Sequence, residues 1–523
     1  MKSLTYLMHG FIFAFGSAII LYGSIVDVNV FVSPGDVIQP TIFSITVFFL
    51  FVLAAYLLTR SLEAAGLIAS LLVLGFLYLW TVFLAIIVIT LVSLLAIKVL
   101  FKRVRYSDTH MTLNAISIAI VGYYVFRFVS LISGTPLGST SIAIQPMDEV
   151  PDTVPSQAVT PDIYYIILDG YGQAGMLQTI YGFDNSLFVE ELEQRGFVVA
   201  SNSQSNYHRT LLSLSSSLNM QYLDTMASAM GDSNLWWPVS DAVQHSEVRK
   251  ILENWGYKTV FFTNNGDYSD IRDGDFYEAP FPIQLNIFNS RFLNLTNLRL
   301  LAEIDQLGIS DLSYDTHRQI ILHNFERLPE VAKIEGPKFV FTHIIAPHPP
   351  YVFDREGNPI DPSYAFTLSD QMTSDAAESQ TGYIEQLQFI NREVLATIDG
   401  ILANSESHPI IIIQGDHGPG TRTNYDSWEK SCLYERYSIL NAYYLPGVET
   451  SSIPVDISPV NSFRFIFNTY FNTDLALLPN RYYFSTSAHF FEFTDITGKT
   501  QAACDSKADG PPGLTKDTVN KNP

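Results

Sequence analysis

The sequence predicts an N-terminal bundle of transmembrane helices followed by an α/β/α sandwich domain. Three observations predict it. Long charge-poor apolar runs are confined to the first 135 residues; short apolar runs alternate with helix-periodic segments in the rest; and charge is divided sharply between the two parts.

Only 16% of the 523 residues are charged, against about 25% in an ordinary soluble chain, and the mean hydropathy is +0.16. Seven basic residues (Lys2, Arg60, Lys98, Lys102, Arg103, Arg105, Arg127) face four acids (Asp27, Asp36, Glu63, Asp108) in residues 1 to 135, which leaves 23 basic and 48 acidic residues for the remaining 388. The second part therefore carries a net charge of −25 out of the total of −22. A fully soluble enzyme, a nucleic-acid binder built on a basic patch and a disulfide-stapled mini-domain are excluded. Two cysteines, Cys432 and Cys504, are too few for a metal cluster and pair only if their domain faces an oxidising compartment.

A spanning helix needs about 20 apolar residues, since each rises about 1.5 Å across a hydrocarbon core about 30 Å thick. Five stretches qualify, near 7 to 26, 41 to 59, 64 to 80, 82 to 101 and 111 to 133, with a tight hairpin near Trp80 dividing the third from the fourth. The first is not followed by a small-residue cleavage site and soluble sequence, so it reads as a span and not a signal peptide. Lys2, Arg60 and the cluster Lys98, Lys102, Arg103 and Arg105 fall on one side, while the loop from Asp27 to Pro40 has no basic residue. An odd number of spans then puts the N-terminus inside and everything after residue 135 outside. Arg127, in the last span, reads as a side chain snorkelling to the interface.

Residues 136 to 160, rich in Ser, Thr and Pro, read as an extended linker. Strands are expected at Ile163 to Leu168, Phe197 to Ala200, Thr259 to Thr263, Phe339 to Ile345, Ile410 to Ile413 and Ile439 to Leu445, as runs buried on both faces of a helix-covered sheet. Helices are expected around Ile384 to Ile401 and from Asp241 to Trp255, the latter stopping at Gly256. The layered domain then spans 161 to 498, and the tail, 499 to 523, lacks apolar periodicity and reads as disordered.

Ligands of open α/β sheets bind beyond the carboxyl ends of the strands, and three runs end in groups suited to metals or protons. They end in Asp169-Gly170, in Ala346-Pro347-His348-Pro349-Pro350 and in Gln414-Gly415-Asp416-His417-Gly418. An Asp-Gly after a strand is commonly only a turn, and a loop histidine commonly only bonds a carbonyl. An Asp-His pair flanked by glycines is more pointed, because the backbone can turn sharply enough for carboxylate and imidazole to meet one ion. Ser205-Asn206-Tyr207-His208-Arg209-Thr210-Leu211-Leu212-Ser213-Leu214 leads into a helix. There a hydroxyl is either a cap or, amid unpaired N–H groups, a nucleophile for a phosphoryl group. His343 reads as a strand residue, and Cys504 has no catalytic role.

The order Asp169-Gly170, Thr210-Leu211-Leu212-Ser213-Leu214, His348-Pro349-Pro350 and Asp416-His417-Gly418 resembles the alkaline phosphatase superfamily. Within it, the chain is most similar to the membrane-anchored branch of lipoteichoic acid synthases, phosphoethanolamine transferases and sulfatase-like proteins. The resemblance implies a metal shell of Asp169, Thr210, Asp416 and His417, with Thr210 as nucleophile and His348 on the substrate side. The sulfatase motif of Cys or Ser followed by x-Pro-Ser-Arg is absent, which argues against sulfate-ester hydrolysis, and no Asp-x-x-x-His set provides a second metal site.

The chemistry expected is phosphoryl-type transfer through a covalent threonine. His348, with His208 or Arg209, would hold non-bridging oxygens or protonate the leaving group. One divalent ion is expected, manganese before magnesium, calcium or zinc because the donors are oxygen-rich. A membrane lipid is the expected donor of a phosphoethanolamine or phosphoglycerol head group, and a surface glycan or lipid the acceptor. The rival readings are a sulfatase-like hydrolase or phosphodiesterase, and an inactive receptor or scaffold.

Overall fold

The computed structural model describes residues 2–26, 34–78, 106–133, 144–145, 147, 150–154, 160–233, 235–264, 269–282, 285–296, 313–364, 366–369, 376–500 and 504. The chain divides into two compact units. One comprises residues 1–137, 235–237 and 281–311, the other 138–234, 238–280 and 312–523.

Among the described residues, the first unit is built on four apolar helices, Lys2–Val26, Ile38–Thr59, Leu62–Tyr78 and Tyr106–Ser133. Among the described residues, Thr5–Gly23, Gly35–Thr59 and Thr109–Ser130 are long and apolar enough to cross a membrane, and Leu62–Leu77 is a shorter apolar helix. The expected span at 82 to 101 and the hairpin near Trp80 lie outside the described residues. Since apolar faces gain little from each other in lipid, polar cross-links and close approach hold such helices together. Ser17 Oγ donates to Ser44 Oγ at 2.9 Å, and His9 Nε2 lies 2.8 Å from His110 Nδ1 with Ser70 Oγ 2.7 Å from the other ring nitrogen of His9.

One element of this unit had no signal in the sequence. Helix Ile287–Leu295, capped by the Asn286 side chain accepting from the Asn289 N–H at 2.7 Å, lies in the segment 281–311 that interrupts the layered unit. Its Phe292 is buried among Ala14, Phe48, Val52 and Val73, and its Phe288 meets Tyr22 edge-on.

The second unit is an α/β/α sandwich. Its sheet contains β1 (Ile163–Leu168), β2 (Val198–Val199), β3 (Lys258–Phe262), β4 (Phe276–Glu278), β5 (Lys338–Ile344), β6 (Ile410–Gly415) and β7 (Asn441–Tyr444) in the order β2-β7-β6-β1-β5-β3-β4. β7 runs antiparallel to both its neighbours, and the remaining pairs are parallel. Alternation along β1 feeds two cores. Tyr164, Ile166 and Leu168 pack with Leu328, Leu387 and Ile390 of helices Tyr314–Val331 and Ala376–Asn404, while Tyr165 meets Phe463 of helix Pro459–Phe471 edge-on at 5.1 Å.

The structure differs from the sequence expectation in four places. The segment from Asp241 to Trp255 is two helices, Trp237–Gln244 and Glu247–Asn254, because the Ser246 hydroxyl accepts from the Arg249 N–H and starts a new helix. β4 and the small pair Tyr483–Phe484 with Thr494–Asp495 are additional strands. The expected linker is partly packed: Ile144 and Val150 are buried, and Trp255 Nε1 donates to the Pro151 carbonyl at 2.8 Å. Order also extends past residue 498, since Thr500 is buried, its Oγ1 donates to Gln204 Oε1 at 2.7 Å, and Cys504 is disulfide-bonded to Cys432. Residues 501 to 503 and 505 to 523 of the tail lie outside the described residues.

Candidate active site

The site follows from the sheet order. β1 sits between β5 and β6, with Leu168 in register with Ile344 on one side and Gly415 on the other. The residues that leave these three adjacent strands therefore emerge together at the carboxyl edge, where α/β sheets hold their ligands. Asp169 N–H donates to the Ile344 carbonyl at 3.0 Å, and the Asp169 carbonyl accepts from His348 N–H at 3.0 Å. Gly170 turns with φ +71°, and its N–H donates to Asp416 Oδ1 at 3.0 Å. Gly418 is equally constrained, because a Cβ there would lie 2.0 Å from the Glu435 carbonyl oxygen.

Four of the sequence-predicted groups converge. His417 Nδ1 lies 2.9 Å from the Gly418 carbonyl, which only accepts, so Nδ1 carries the proton and Nε2 presents a lone pair. That Nε2 is 3.2 Å from Asp416 Oδ2, 3.7 Å from Asp169 Oδ1 and 2.9 Å from Thr210 Oγ1. Both carboxylate oxygens are buried without a hydrogen-bond partner. Burial raises the Asp169 carboxyl, but His348 and the hydrogen bond from His343 outweigh this and hold it below the usual carboxylate range. Two buried carboxylates with one open oxygen each, an imidazole lone pair and a hydroxyl form a donor set suited to one divalent cation.

Thr210 opens helix Thr210–Asn219, and no side chain caps this helix. The hydroxyl thus stands among first-turn N–H groups at a positive dipole end. Ser213, the next hydroxyl in this helix, is committed elsewhere: its Oγ donates to the Asp416 carbonyl at 2.7 Å. His348 lines a cavity beside these groups together with Gly170, Tyr351, Tyr383, Thr421 and Arg436. Its ring lies 6.4 Å from that of His417, and its Nδ1 lies 2.5 Å from the Pro349 carbonyl.

Two expected substrate-binding residues are placed differently. His208 is fully buried and stacked on Phe484 at 4.2 Å, and burial, with Arg209 and Arg436 beside it, pushes its imidazole well below the usual range. Its ring therefore fills an aromatic core. The Arg209 guanidinium lies over Tyr425 at 4.9 Å and donates to Ser487 Oγ at 3.2 Å, and it is Arg436 that lines the cavity.

Two residues were missed. Arg436, 2% exposed, donates through Nε to the His208 carbonyl at 2.7 Å and through Nη1 to the Gly418 carbonyl at 3.2 Å, with Nη2 3.1 Å from His417 Nε2. His343, read as an ordinary strand residue, has its Nε2 3.0 Å from Asp169 Oδ2 and groups with Asp169 and Asp416 as potential metal-binding side chains. The signal was present: an imidazole inside a fully buried strand has to find a polar partner.

Comparison with known proteins matches residues 161–439, more than half of the chain, to the sulfatase family. No curated protein matches it in sequence. Among solved structures it is similar to the C-terminal periplasmic domain of EcEptC from Escherichia coli, with 13% identity over 68% of this chain and 97% of that one and a TM-score of 0.44. The integral membrane lipooligosaccharide phosphoethanolamine transferase A of Neisseria meningitidis is 12% identical, covering 90% of this chain and 95% of that one, with a TM-score of 0.40. A putative sulfatase from Bacteroides thetaiotaomicron is 14% identical over 61% and 72% of the two chains, with a TM-score of 0.35.

Proposed function

Because the chain belongs to the sulfatase family, we propose that it is a metal-dependent transferase of the membrane-anchored branch of the alkaline phosphatase superfamily. It moves a phosphoethanolamine or phosphoglycerol head group from a membrane lipid to a surface glycan or lipid. The observation that carries this reading is the threonine hydroxyl 2.9 Å from His417 Nε2, beside the two open oxygens of Asp169 and Asp416. Helices long enough to cross a membrane support a lipid donor. The Cys432–Cys504 disulfide and the positive charges between the spans support a catalytic unit outside the cytoplasm.

Asp169, Asp416, His417 and Thr210 would hold one divalent ion, with manganese favoured by three oxygen donors against one nitrogen. When bound, the ion supplies positive charge that favours the ionised threonine hydroxyl and neutralises phosphoryl oxygens. Thr210 Oγ1 bonds to phosphorus as the bond from phosphorus to the lipid oxygen breaks, and His348 on the cavity wall protonates that leaving oxygen. An acceptor hydroxyl then displaces Thr210 from phosphorus, passing its proton to His348. Arg436, which lines the same cavity, would meet the phosphoryl oxygens there.

The test is to incubate the full chain with lipids radiolabelled in the head group, with and without a glycan or lipid acceptor, and map the label after quenching. Label on Thr210 that passes to the acceptor is the expected result. Release to water alone makes the protein a hydrolase, and a chain that turns over without ever carrying label on Thr210 has no threonine intermediate.

A further inference from the structure

We infer that His343 is a positioning residue: a hydrogen-bond chain from Asn264 through Ser269 to His343 fixes which oxygen of Asp169 faces the metal centre. The inference rests on the functional reading above and adds a part to it.

The placement follows from strand register. His343 in β5 pairs with Ile167 in β1, and Asp169 lies two residues beyond Ile167 on the same face of the sheet. The imidazole and the carboxylate are thus diagonal neighbours, both almost fully buried.

The direction of the chain follows from what each atom can do. Asn264 Nδ2 only donates, and it lies 2.6 Å from Ser269 Oγ, which must accept. The serine hydrogen is then free to go to His343 Nδ1 at 2.7 Å. With Nδ1 accepting, the ring proton sits on Nε2, which is 3.0 Å from Asp169 Oδ2. A carboxylate oxygen only accepts, so the far end of the chain independently requires the proton on Nε2.

The consequence falls on Asp169. Oδ2 is committed to His343, which leaves Oδ1, the oxygen 3.7 Å from His417 Nε2 and without a hydrogen bond, as the one directed at the centre. His343 could also be a direct ligand, since it groups with Asp169 and Asp416. The geometry favours the other role, because its Nε2 meets the oxygen of Asp169 that does not face His417 and Thr210. Partners that orient metal-binding side chains typically account for about 10–100-fold in metal affinity.

The experiment uses the full chain in detergent, stripped by a chelator and titrated with manganese by calorimetry. The variants are His343→Ala, His343→Gln, whose amide N–H can replace the imidazole N–H, and Ser269→Ala. The wild type should bind one ion, His343→Ala about 10–100-fold more weakly, His343→Gln close to the wild type, and Ser269→Ala in between. Wild-type affinity in His343→Ala overturns the inference. So does complete loss of binding in both His343 variants, which would make His343 a ligand. If His343→Ala lacks a cooperative thermal transition, the order of His343→Gln and Ser269→Ala decides. A wild type that binds no ion at all overturns the metal-dependent reading itself, an outcome distinct from the others.

Discussion

Thr210 Oγ1 and His417 Nε2 lie 2.9 Å apart, although 207 positions separate them in the chain. Since His417 Nδ1 is bound to the Gly418 carbonyl, the threonine hydroxyl points its hydrogen at the nitrogen that faces both open carboxylate oxygens. A hydroxyl that merely capped its helix would turn toward the N–H groups of the first turn instead.

Thr210→Ala should lower turnover at least about a thousandfold, as loss of a nucleophile does, and abolish any labelled intermediate. Thr210→Ser, which loses only a methyl group, should keep measurable activity. Ser213→Ala removes the hydrogen bond to the Asp416 carbonyl and should cost about 1 kcal/mol of stability with a much smaller effect on turnover. Steady-state kinetics with phosphopeptide mapping separates the three, and label found on Ser213 would move the nucleophile there.

Asp416→Asn and His417→Ala each remove a donor from the proposed ion site. Both should lose metal binding and activity while keeping a cooperative unfolding transition, because the two apolar cores beside the sheet do not depend on the ion. Chelation of the wild type should reproduce the loss, and added metal should reverse it. Full activity after exhaustive chelation would sink the metal-dependent reading.

The three strands that build the site were legible because each combines an apolar run with a polar group at its carboxyl end. What escaped the sequence was pairing across the fold. His343 lies inside an apolar run, where periodicity cannot say whether an imidazole meets carboxylate or solvent. His208 and Arg209 sit beside Thr210 in sequence, yet the chain enters helix Thr210–Asn219 with the first ring stacked on Phe484 and the second side chain over Tyr425. Arg436 takes the cavity wall from helix Leu433–Tyr437, an element too short to register as a pattern. The excursion 281–311 carries no run of spanning length, so only its packing against Tyr22 and Phe48 assigns it to the apolar helices.

Arg436 links the segment leading into Thr210 to the Asp416-His417-Gly418 loop, through the His208 carbonyl and the Gly418 carbonyl. Arg436→Ala leaves both buried carbonyls without this donor and should cost about 2–4 kcal/mol in urea unfolding. Arg436→Lys keeps the charge but lacks the planar fork, so it should recover stability only in part and activity less. Unchanged stability and kinetics in Arg436→Ala would remove it from the site.

The Cys432–Cys504 bond closes a loop of 72 residues. A cross-link of that length restricts the unfolded chain by about 4 kcal/mol on the chain-entropy account. Cys432→Ser, Cys504→Ser and the double variant should therefore lose similar stability in denaturant titration, and a reductant should lower the wild type to their level. A double variant as stable as the wild type would show that the tail does not brace this unit.

His317 provides a test by pH. It is fully buried in helix Tyr314–Val331, and burial, with His348 and Arg318 nearby, pushes its imidazole down to about 3. In the unfolded chain the same ring titrates near 6.5. Between those values the unfolded state binds a proton that the folded state refuses, so stability is fully present above about pH 6.5 and falls as the pH drops toward 3. From pH 7 to pH 5 the loss attributable to this one group is about 2 kcal/mol. His317→Leu, which puts an apolar side chain of similar size in its place, should flatten that part of the acid limb by about the same amount when stability is measured by denaturant unfolding at each pH. An acid limb with the same slope in both proteins would mean that His317 takes up its proton in the folded state as readily as in the unfolded one.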